Sequence, residues 1–274
     1  MMQNASRKIG QAKVVAPAAA PARVLVSLAT YNERDNLAAL VGEIQAMAPV
    51  ADVLVIDDNS PDGTGKLADD LAQQDPRIHV LHRAGKLGLG TALLAAMNYA
   101  MRHNYDLLLN LDADFSHPPR YLPSLLAGMT THDVMIGSRY IPGGGAVGWP
   151  LSRRFLSWGV NTVARLLLRL PAHDTSGGYR CYRVAKLREA DLAHLLSHGY
   201  SFQEEVLYRC CRAGCRIGET PIVFENRRAG ASKVNPKEAL RSIGVLLVLG
   251  LRAVFGADGE RNEPQRRRGT EEDG

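Results

Sequence analysis

Residues 107–119 read LLLNLDADFSHPP: five apolar-dominated positions, then two carboxylates two residues apart, then a pair of prolines. A short apolar run that stops abruptly at polar residues is the mark of a buried strand followed by a loop. The same pattern occurs three times upstream. Val24–Ala29 is followed by TYNERDN, Val53–Ile56 by DDNSPDGTG, and Ile78–Leu81 by a loop punctuated with glycine. Between these runs lie helix-like segments, LAALVGEIQAM, a stretch near Lys66–Gln73, and TALLAAMNYAMRH. Strands alternating with helices predict βαβ units and an α/β fold with a Rossmann-like, mainly parallel sheet flanked by helices. Their continuous hydrophobicity fits strands buried on both faces.

The polar clusters Tyr31-Asn32-Glu33, Asp57-Asp58, His82-Arg83 and Asp112/Asp114 all follow strands immediately. In an open parallel sheet these positions share the edge at the carboxyl ends, where ligands bind. So many acidic groups on one edge would repel one another, which calls for a metal, a cationic group or a donor-rich ligand among them. Asp112 and Asp114 offer the hard oxygens that suit Mg²⁺ or Mn²⁺ on a diphosphate, with Ser116 continuing the i, i+2, i+4 series. Taken alone, a D-x-D is also compatible with a plain Asp-rich cap. Asp57-Asp58 reads equally as a turn with Asx caps or as an acceptor for the base or ribose of a nucleotide.

Other chemistries lack their signatures. No G-x-G-x-x-G follows the first strand, which disfavours a dinucleotide-dependent oxidoreductase, and Gly85–Gly90 lacks the Lys-Ser/Thr of a P-loop. No Gly-x-Ser-x-Gly elbow occurs, and His79, His82, His117 and His173 show no metal-ligand spacing. Phosphohydrolases that use the first Asp of a D-x-D as nucleophile carry it after the first strand, whereas here it follows the fourth. The second half instead sets arginines beside glycines and serines, at Gly137–Tyr140, at Ser152-Arg153-Arg154 before Ser157, and at Asn226–Lys233. Guanidinium forks are the preferred partners of phosphate oxygens.

The 274 residues carry 33 Lys and Arg against 28 Asp and Glu, a net charge of +5, with 46% apolar and 22% charged residues. That is globular composition, with too weak a basic excess for nucleic acid. The four cysteines are spaced as reduced, buried thiols of a cytosolic protein. Residues 1–22 and 257–274 read as flexible tails, 23–234 as the catalytic domain and 235–256 as an apolar helix. Asn235 caps that helix, Pro236 fits its first turn, and it is too short to span a bilayer. Its apolar side chains and basic flanks suit either a core-packed helix or one lying at a membrane surface.

Together TYNERDNL, VLVIDDNSPDGTG, GKLGLGTA, LNLDADFSHPP, GSRY, DTSGGYRCY, GYSFQEEVLYR and RRAGASK, in this order, closely resemble the polyprenol-phosphate (dolichol-phosphate) mannosyltransferases of the family 2 glycosyltransferases. The resemblance covers about Val24–Gly256 and implies the A-type nucleotide-sugar fold. It implies inverting transfer of mannose from GDP-mannose to a polyprenyl monophosphate, with another nucleotide sugar such as UDP-glucose as the alternative donor. Tyr31, Glu33 and Asp57 would hold guanine and ribose, and Asp112, Asp114 and Ser116 the divalent metal. Arg139 would contact the donor's phosphate, Arg153 and Ser157 the acceptor's, and Arg227 and Lys233 would lie on a loop that closes over the donor. Two positions depart from the family's pattern, Ala29 where Pro is usual and Ser116 where Gln is common. The resemblance further implies a peripheral enzyme at the cytoplasmic face of a membrane, with room for a membrane partner subunit.

Overall fold

The computed structural model describes residues 22–197, 199, 201–226 and 244–251. The expected alternation is present and each strand runs slightly past its apolar run. β1 (Val24–Thr30), α1 (Arg34–Met47), β2 (Asp52–Asp57), α2 (Thr64–Gln74), β3 (Ile78–His82), α3 (Leu89–Arg102) and β4 (Leu107–Asp112) form three successive βαβ units. α4 (Leu122–Gly128), β5 (Val134–Ser138), β6 (Gly145–Ala146) and the long α5 (Leu151–Leu168) follow. The chain then runs through β7 (Arg180–Arg183), α6 (Val184–Glu189), α7 (Phe202–Arg212), β8 (Ile217–Pro221) and β9 (Val223–Phe224). Residues 244–251 are helical, within the segment expected to form a C-terminal helix.

The main sheet has the order β3-β2-β1-β4-β7-β5-β8, with β6 and β9 in a separate parallel pair. β7 runs antiparallel to both its neighbours, β4 and β5, while the other pairings are parallel. β5 therefore points the same way as β4, and their carboxyl ends open on the same edge.

Period-2 alternation sends side chains to opposite faces of a strand, and here both faces are covered. Leu25, Leu54, Ile56 and Leu108 pack on one side with α3, α6, α7, the inner side of α5 and Leu246 and Leu249 of the 244–251 helix. Val26, Leu28, Val53, Val55, Leu109 and Leu111 pack on the other with α1 and α4. Cys181, Cys210 and Cys215 are buried free thiols and Cys211 is half-buried. No helix among the described residues is long and apolar enough to cross a membrane.

Candidate active site

Register places the acidic residues side by side. Thr30 at the end of β1 pairs with Asp57 of β2, and Ala29 pairs with Asp112 of β4. Two strand spacings separate the backbone positions of Asp57 and Asp112, roughly 10 Å, and the one-residue offset in register starts their side chains on opposite faces of the sheet.

Past β1 and β2 the loops are laced together. The backbone N–H of Asn32 donates to Ser60 Oγ (3.0 Å), that of Glu33 to Thr64 Oγ1 (3.0 Å), and that of Arg34 to Asp62 Oδ2 (3.2 Å). Asp57 is buried and accepts from Ser60 N–H (3.0 Å), Ser60 Oγ (2.5 Å) and Thr30 Oγ1 (3.2 Å). It fastens the turn rather than presenting a bare carboxylate. Gly65 is required beneath it, because a Cβ there would lie 2.8 Å from Asp57 Oδ2. The ammonium of Lys86 sits 4.1 Å from the centroid of Tyr31, which closes this group on its outer side.

The repulsion expected along the acidic edge is partly resolved within the chain. Asp58 is ion-paired with the buried guanidinium of Arg83, whose Nε donates to it at 2.5 Å, and it also accepts from Leu87 N–H (3.1 Å). The Asp112–Asp114 pair has a different neighbour. Asp112 N–H donates to His117 Nδ1 (3.1 Å), so the ring carries its proton on Nε2. Burial pushes His117 below its ordinary value in spite of the nearby Asp112, and the ring is neutral.

The backbone of Phe115 takes the left-handed conformation, φ 65°, a position that costs a non-glycine residue about 1–3 kcal/mol. The turn so formed brings Ser116 back: its N–H donates to Asp114 Oδ1 (3.0 Å) and its Oγ lies 3.5 Å from Asp112 Oδ2. Asp114 and Ser116 are buried, while one-third of the Asp112 side chain remains exposed. No group of three or more His, Cys, Asp or Glu forms a ready-made metal cage among the described residues. Two hard carboxylates beside a neutral imidazole still match the donor chemistry of Mg²⁺ or Mn²⁺, which commonly complete their shells with water and substrate phosphate oxygens.

Arg139, just past β5, is anchored by a residue that the sequence reading left without a role. Its Nε and Nη2 each donate to the carboxylate of Asp174 at 2.7 Å, and Nη2 also reaches Ser176 Oγ (3.0 Å). Burial would raise the Asp174 carboxyl, but the guanidinium outweighs it and holds the group below the usual carboxylate range. The rings of Tyr140, Trp149 and Phe224 lie 5.3, 5.5 and 5.8 Å from the Arg139 guanidinium carbon.

Phe224 also packs edge-on against His117, with centroids 5.3 Å apart, and so links the Asp112 group to the Arg139 group. Tyr140 donates to Ser157 Oγ (2.7 Å), and Arg153 lies over Trp149 (4.1 Å to the centroid). Trp149 and Tyr140 thereby connect Arg153 and Ser157 to Arg139. A cavity of about 450 Å³ extends from Arg139 and Tyr140 past Trp149 to Leu151, Phe155 and Trp158. Arg227 and Lys233 lie outside the described residues.

Behind the site, Arg180 is fully buried and donates to three carbonyls, Gly177 O (2.7 Å), Gln203 O (2.7 Å) and Thr175 O (2.5 Å). Glu204 is buried beside it, with Oε2 unpartnered among the described residues, and burial pushes its carboxyl up to about 7. The folded protein therefore binds this proton more tightly than the unfolded chain, whose Glu titrates near about 4.3. The stability that Glu204 contributes is complete below that pH and is lost as pH rises to about 7. Glu204→Gln should flatten this decline; equal losses of Tm between pH 5 and pH 8 in both proteins would contradict it.

Residues 26–190 match the family described as Glycosyl transferase family 2. An undecaprenyl-phosphate mannosyltransferase of Micrococcus luteus is 46% identical over 213 residues, 78% of this chain and 88% of that protein. A polyprenol monophosphomannose synthase of Mycolicibacterium smegmatis is 45% identical over 223 residues, 80% of this chain and 84% of that one. Among solved structures, glucosyl-3-phosphoglycerate synthase from Mycobacterium tuberculosis in complex with Mn²⁺, UDP and phosphoglyceric acid superposes with a TM-score of 0.60. That match has 18% identity and covers 84% of this chain and 78% of the other, a likeness of fold. The same synthase with Mg²⁺ and UDP gives a TM-score of 0.59 at 17% identity, over 83% and 79%.

Proposed function

The chain belongs to glycosyl transferase family 2, and on that basis we propose that it transfers mannose from GDP-mannose, with inversion, to a polyprenyl monophosphate. Relatives 45–46% identical over most of their length are named for mannose transfer to such lipids or for its product. The observation that carries the reading is the continuity from the Asp112–Asp114 pair, across Phe224, to Arg139 and on into a cavity walled by Leu151, Phe155 and Trp158. A diphosphate-handling edge that opens onto an apolar corridor suits an acceptor with a phosphate head and a hydrocarbon tail.

In this reading the loops of Tyr31, Glu33 and Asp57 seat the nucleoside, and Asp112 and Asp114, with Ser116 beside them, hold Mg²⁺ or Mn²⁺. When bound, the ion supplies positive charge to the diphosphate. An oxygen of the acceptor phosphate attacks the anomeric carbon of mannose from the face opposite GDP. A carbon–oxygen bond forms, the bond to the diphosphate breaks, and GDP departs with the electron pair. The acceptor is an anion at neutral pH, so no strong base is needed, and the protein contributes position and charge.

Arg139 is suited to the departing phosphate. Its bonds to Asp174 and Ser176 use Nε and Nη2, leaving the Nη1 protons for an oxygen arriving from the cavity. On α5 the cavity is lined by Leu151, Arg154, Phe155 and Trp158. Arg153 and Ser157, which touch the lining residues Trp149 and Tyr140, orient the acceptor phosphate, and the lipid tail keeps the enzyme at the cytoplasmic face of a membrane.

The test is incubation with GDP-mannose or UDP-glucose, either metal ion, and a panel of polyprenyl phosphates, with the product identified by mass. A mannosylated lipid phosphate formed only from GDP-mannose is expected; a glucosylated lipid or free mannose as sole product would overturn the reading. The two halves of the site should also separate. Arg153→Ala should raise the KM for the acceptor about 10–100-fold, the worth of a charged hydrogen bond, and leave GDP affinity near normal. Asp57→Ala should do the reverse, because it releases the turn that ties Ser60 to Asn32. Equal effects of both changes on GDP affinity, read by calorimetry, would refute the division.

A further inference from the structure

Helix α7 begins with Phe202-Gln203-Glu204-Glu205, and all four residues are buried. Polar side chains taken from water cost free energy unless each finds a partner. Glu205 finds several: it accepts from the backbone N–H groups of Leu196 (2.9 Å) and Ser197 (2.8 Å) and pairs with Arg209 (3.1 Å). Gln203 is satisfied on one side only. Its Oε1 accepts from the Tyr182 hydroxyl at a long 3.5 Å, and its backbone carbonyl accepts from Arg180 Nη1 (2.7 Å). The amide nitrogen Nε2 is buried and has no hydrogen-bond partner among the described residues, although the residue as a whole is only 6% exposed.

Gly178 marks where that nitrogen points. A Cβ at Gly178 would lie 3.6 Å from Gln203 Nε2, 3.7 Å from Asp112 Oδ1 and 3.7 Å from His117 Cε1. These are ordinary contact distances, and Gly178 is not among the glycines with positive φ. Neither a clash nor the backbone therefore calls for glycine here; what the missing side chain leaves is a recess. An amide donor and a carboxylate acceptor border it. Gly178 and Asp112 are only partly buried, so the recess opens to the cleft. The contacts of Asp112 with Ser116 and His117 use Oδ2, which leaves Oδ1 on the side of the recess.

Hydrogen-bonding capacity selects the occupant. Gln203 Nε2 only donates and a carboxylate only accepts. A hydroxyl does both and satisfies the two together, whereas a phosphate oxygen would meet the Asp112 carboxylate as a like charge. The guanidinium suited to phosphate lies instead beyond Phe224, at Arg139.

We propose that the recess between Gln203, Gly178 and Asp112 takes a hydroxyl of the hexose being transferred, with Gln203 Nε2 donating to its oxygen. The proposal rests on the sugar-transfer reading and adds the residue that recognises the sugar rather than the nucleotide or the lipid. The hexose belongs here because its anomeric carbon is bonded to the diphosphate that the Asp112–Asp114 pair meets in that reading.

Calorimetric titration of the full chain, with Mg²⁺ and without acceptor, compares a nucleoside diphosphate with its sugar conjugate: GDP against GDP-mannose, and UDP against UDP-glucose. The readout is the ratio of the two Kd values, which cancels what the nucleotide half contributes. Gln203→Met keeps the side chain's length and removes the N–H groups, and should weaken the conjugate about fivefold relative to the free diphosphate, the worth of one neutral hydrogen bond. Gly178→Ala fills the recess without backbone strain and should shift the ratio by a similar factor, with melting temperature and GDP affinity unchanged. Should Gln203→Met fail to fold, Gly178→Ala decides alone. An unchanged ratio would overturn the proposal and leave the transfer reading standing, and so would equal weakening of diphosphate and conjugate. A shift seen with UDP-glucose alone would sustain the hexose recess and strike down GDP-mannose as the donor.

Discussion

Asp112→Asn is expected to lower transfer about 10²–10³-fold, the usual cost of losing one group that stabilises transition-state charge, and to leave the fold intact. Its carboxylate makes only long contacts with the described residues, 3.5 Å to Ser116 Oγ and 3.6 Å to His117 Nδ1. The bond that shapes the turn comes from the backbone N–H of Asp112, which the substitution keeps. Little native stability therefore depends on this side chain's charge, and the loss should fall on turnover. Asp114→Asn should cost as much in rate with some loss of stability, because Asp114 is buried and accepts from Ser116 N–H (3.0 Å). Initial rates across a Mg²⁺ or Mn²⁺ titration, with melting temperatures for both variants, provide the check. If both kept rates within about tenfold of the parent, the Asp112–Asp114 pair would not be where diphosphate charge is met.

The parts of this site that were legible in the sequence are local. An apolar run ending in Asp112-Ala113-Asp114 states both a buried strand and the group at its carboxyl end, and parallel topology then collects such ends on one edge. Partnerships between distant residues were not legible. Asp58 looks like an unbalanced acid until Arg83, 25 positions away, is found against it. Asp174 has no local feature that distinguishes it, since its role arises only when the antiparallel β7 inserts between β4 and β5 and carries the preceding loop to Arg139. An apolar residue set at helical spacing identifies an amphipathic helix but not which of its sides the core receives. The composition of the 235–256 segment left a core-packed helix and a membrane-surface helix equally open, and in its described part Leu246 and Leu249 are core residues while Leu247, Val248 and Leu251 are exposed. In α5 the hydrogen bonds of Asn161 turn the polar stripe inward and expose the apolar one, an outcome fixed by the loop at Thr175 and Ser176.

The Arg139–Asp174 pair should separate stability from catalysis. Both side chains are taken from water, a cost recovered only because the geometry is complete. Asp174 accepts from Arg139 Nε and Nη2, from the Arg139 backbone (3.0 Å) and from Gly177 N–H (2.9 Å). Asp174→Asn would leave a buried guanidinium without its counter-charge, which costs about 3–5 kcal/mol. At this chain length such a loss lowers Tm by on the order of 10 °C. Arg139→Lys keeps a positive charge opposite Asp174 and should cost less in Tm. A single ammonium cannot hold both carboxylate oxygens and still present donors to the cavity, so transfer should fall about 10²-fold. Thermal unfolding and initial rates of the two variants should therefore rank in opposite order, Asp174→Asn worse in Tm and Arg139→Lys worse in rate per folded molecule. Should Arg139→Lys retain full activity, the guanidinium would serve only to brace the loop at Asp174, and the phosphate leaving from the donor would have to be met elsewhere on the edge.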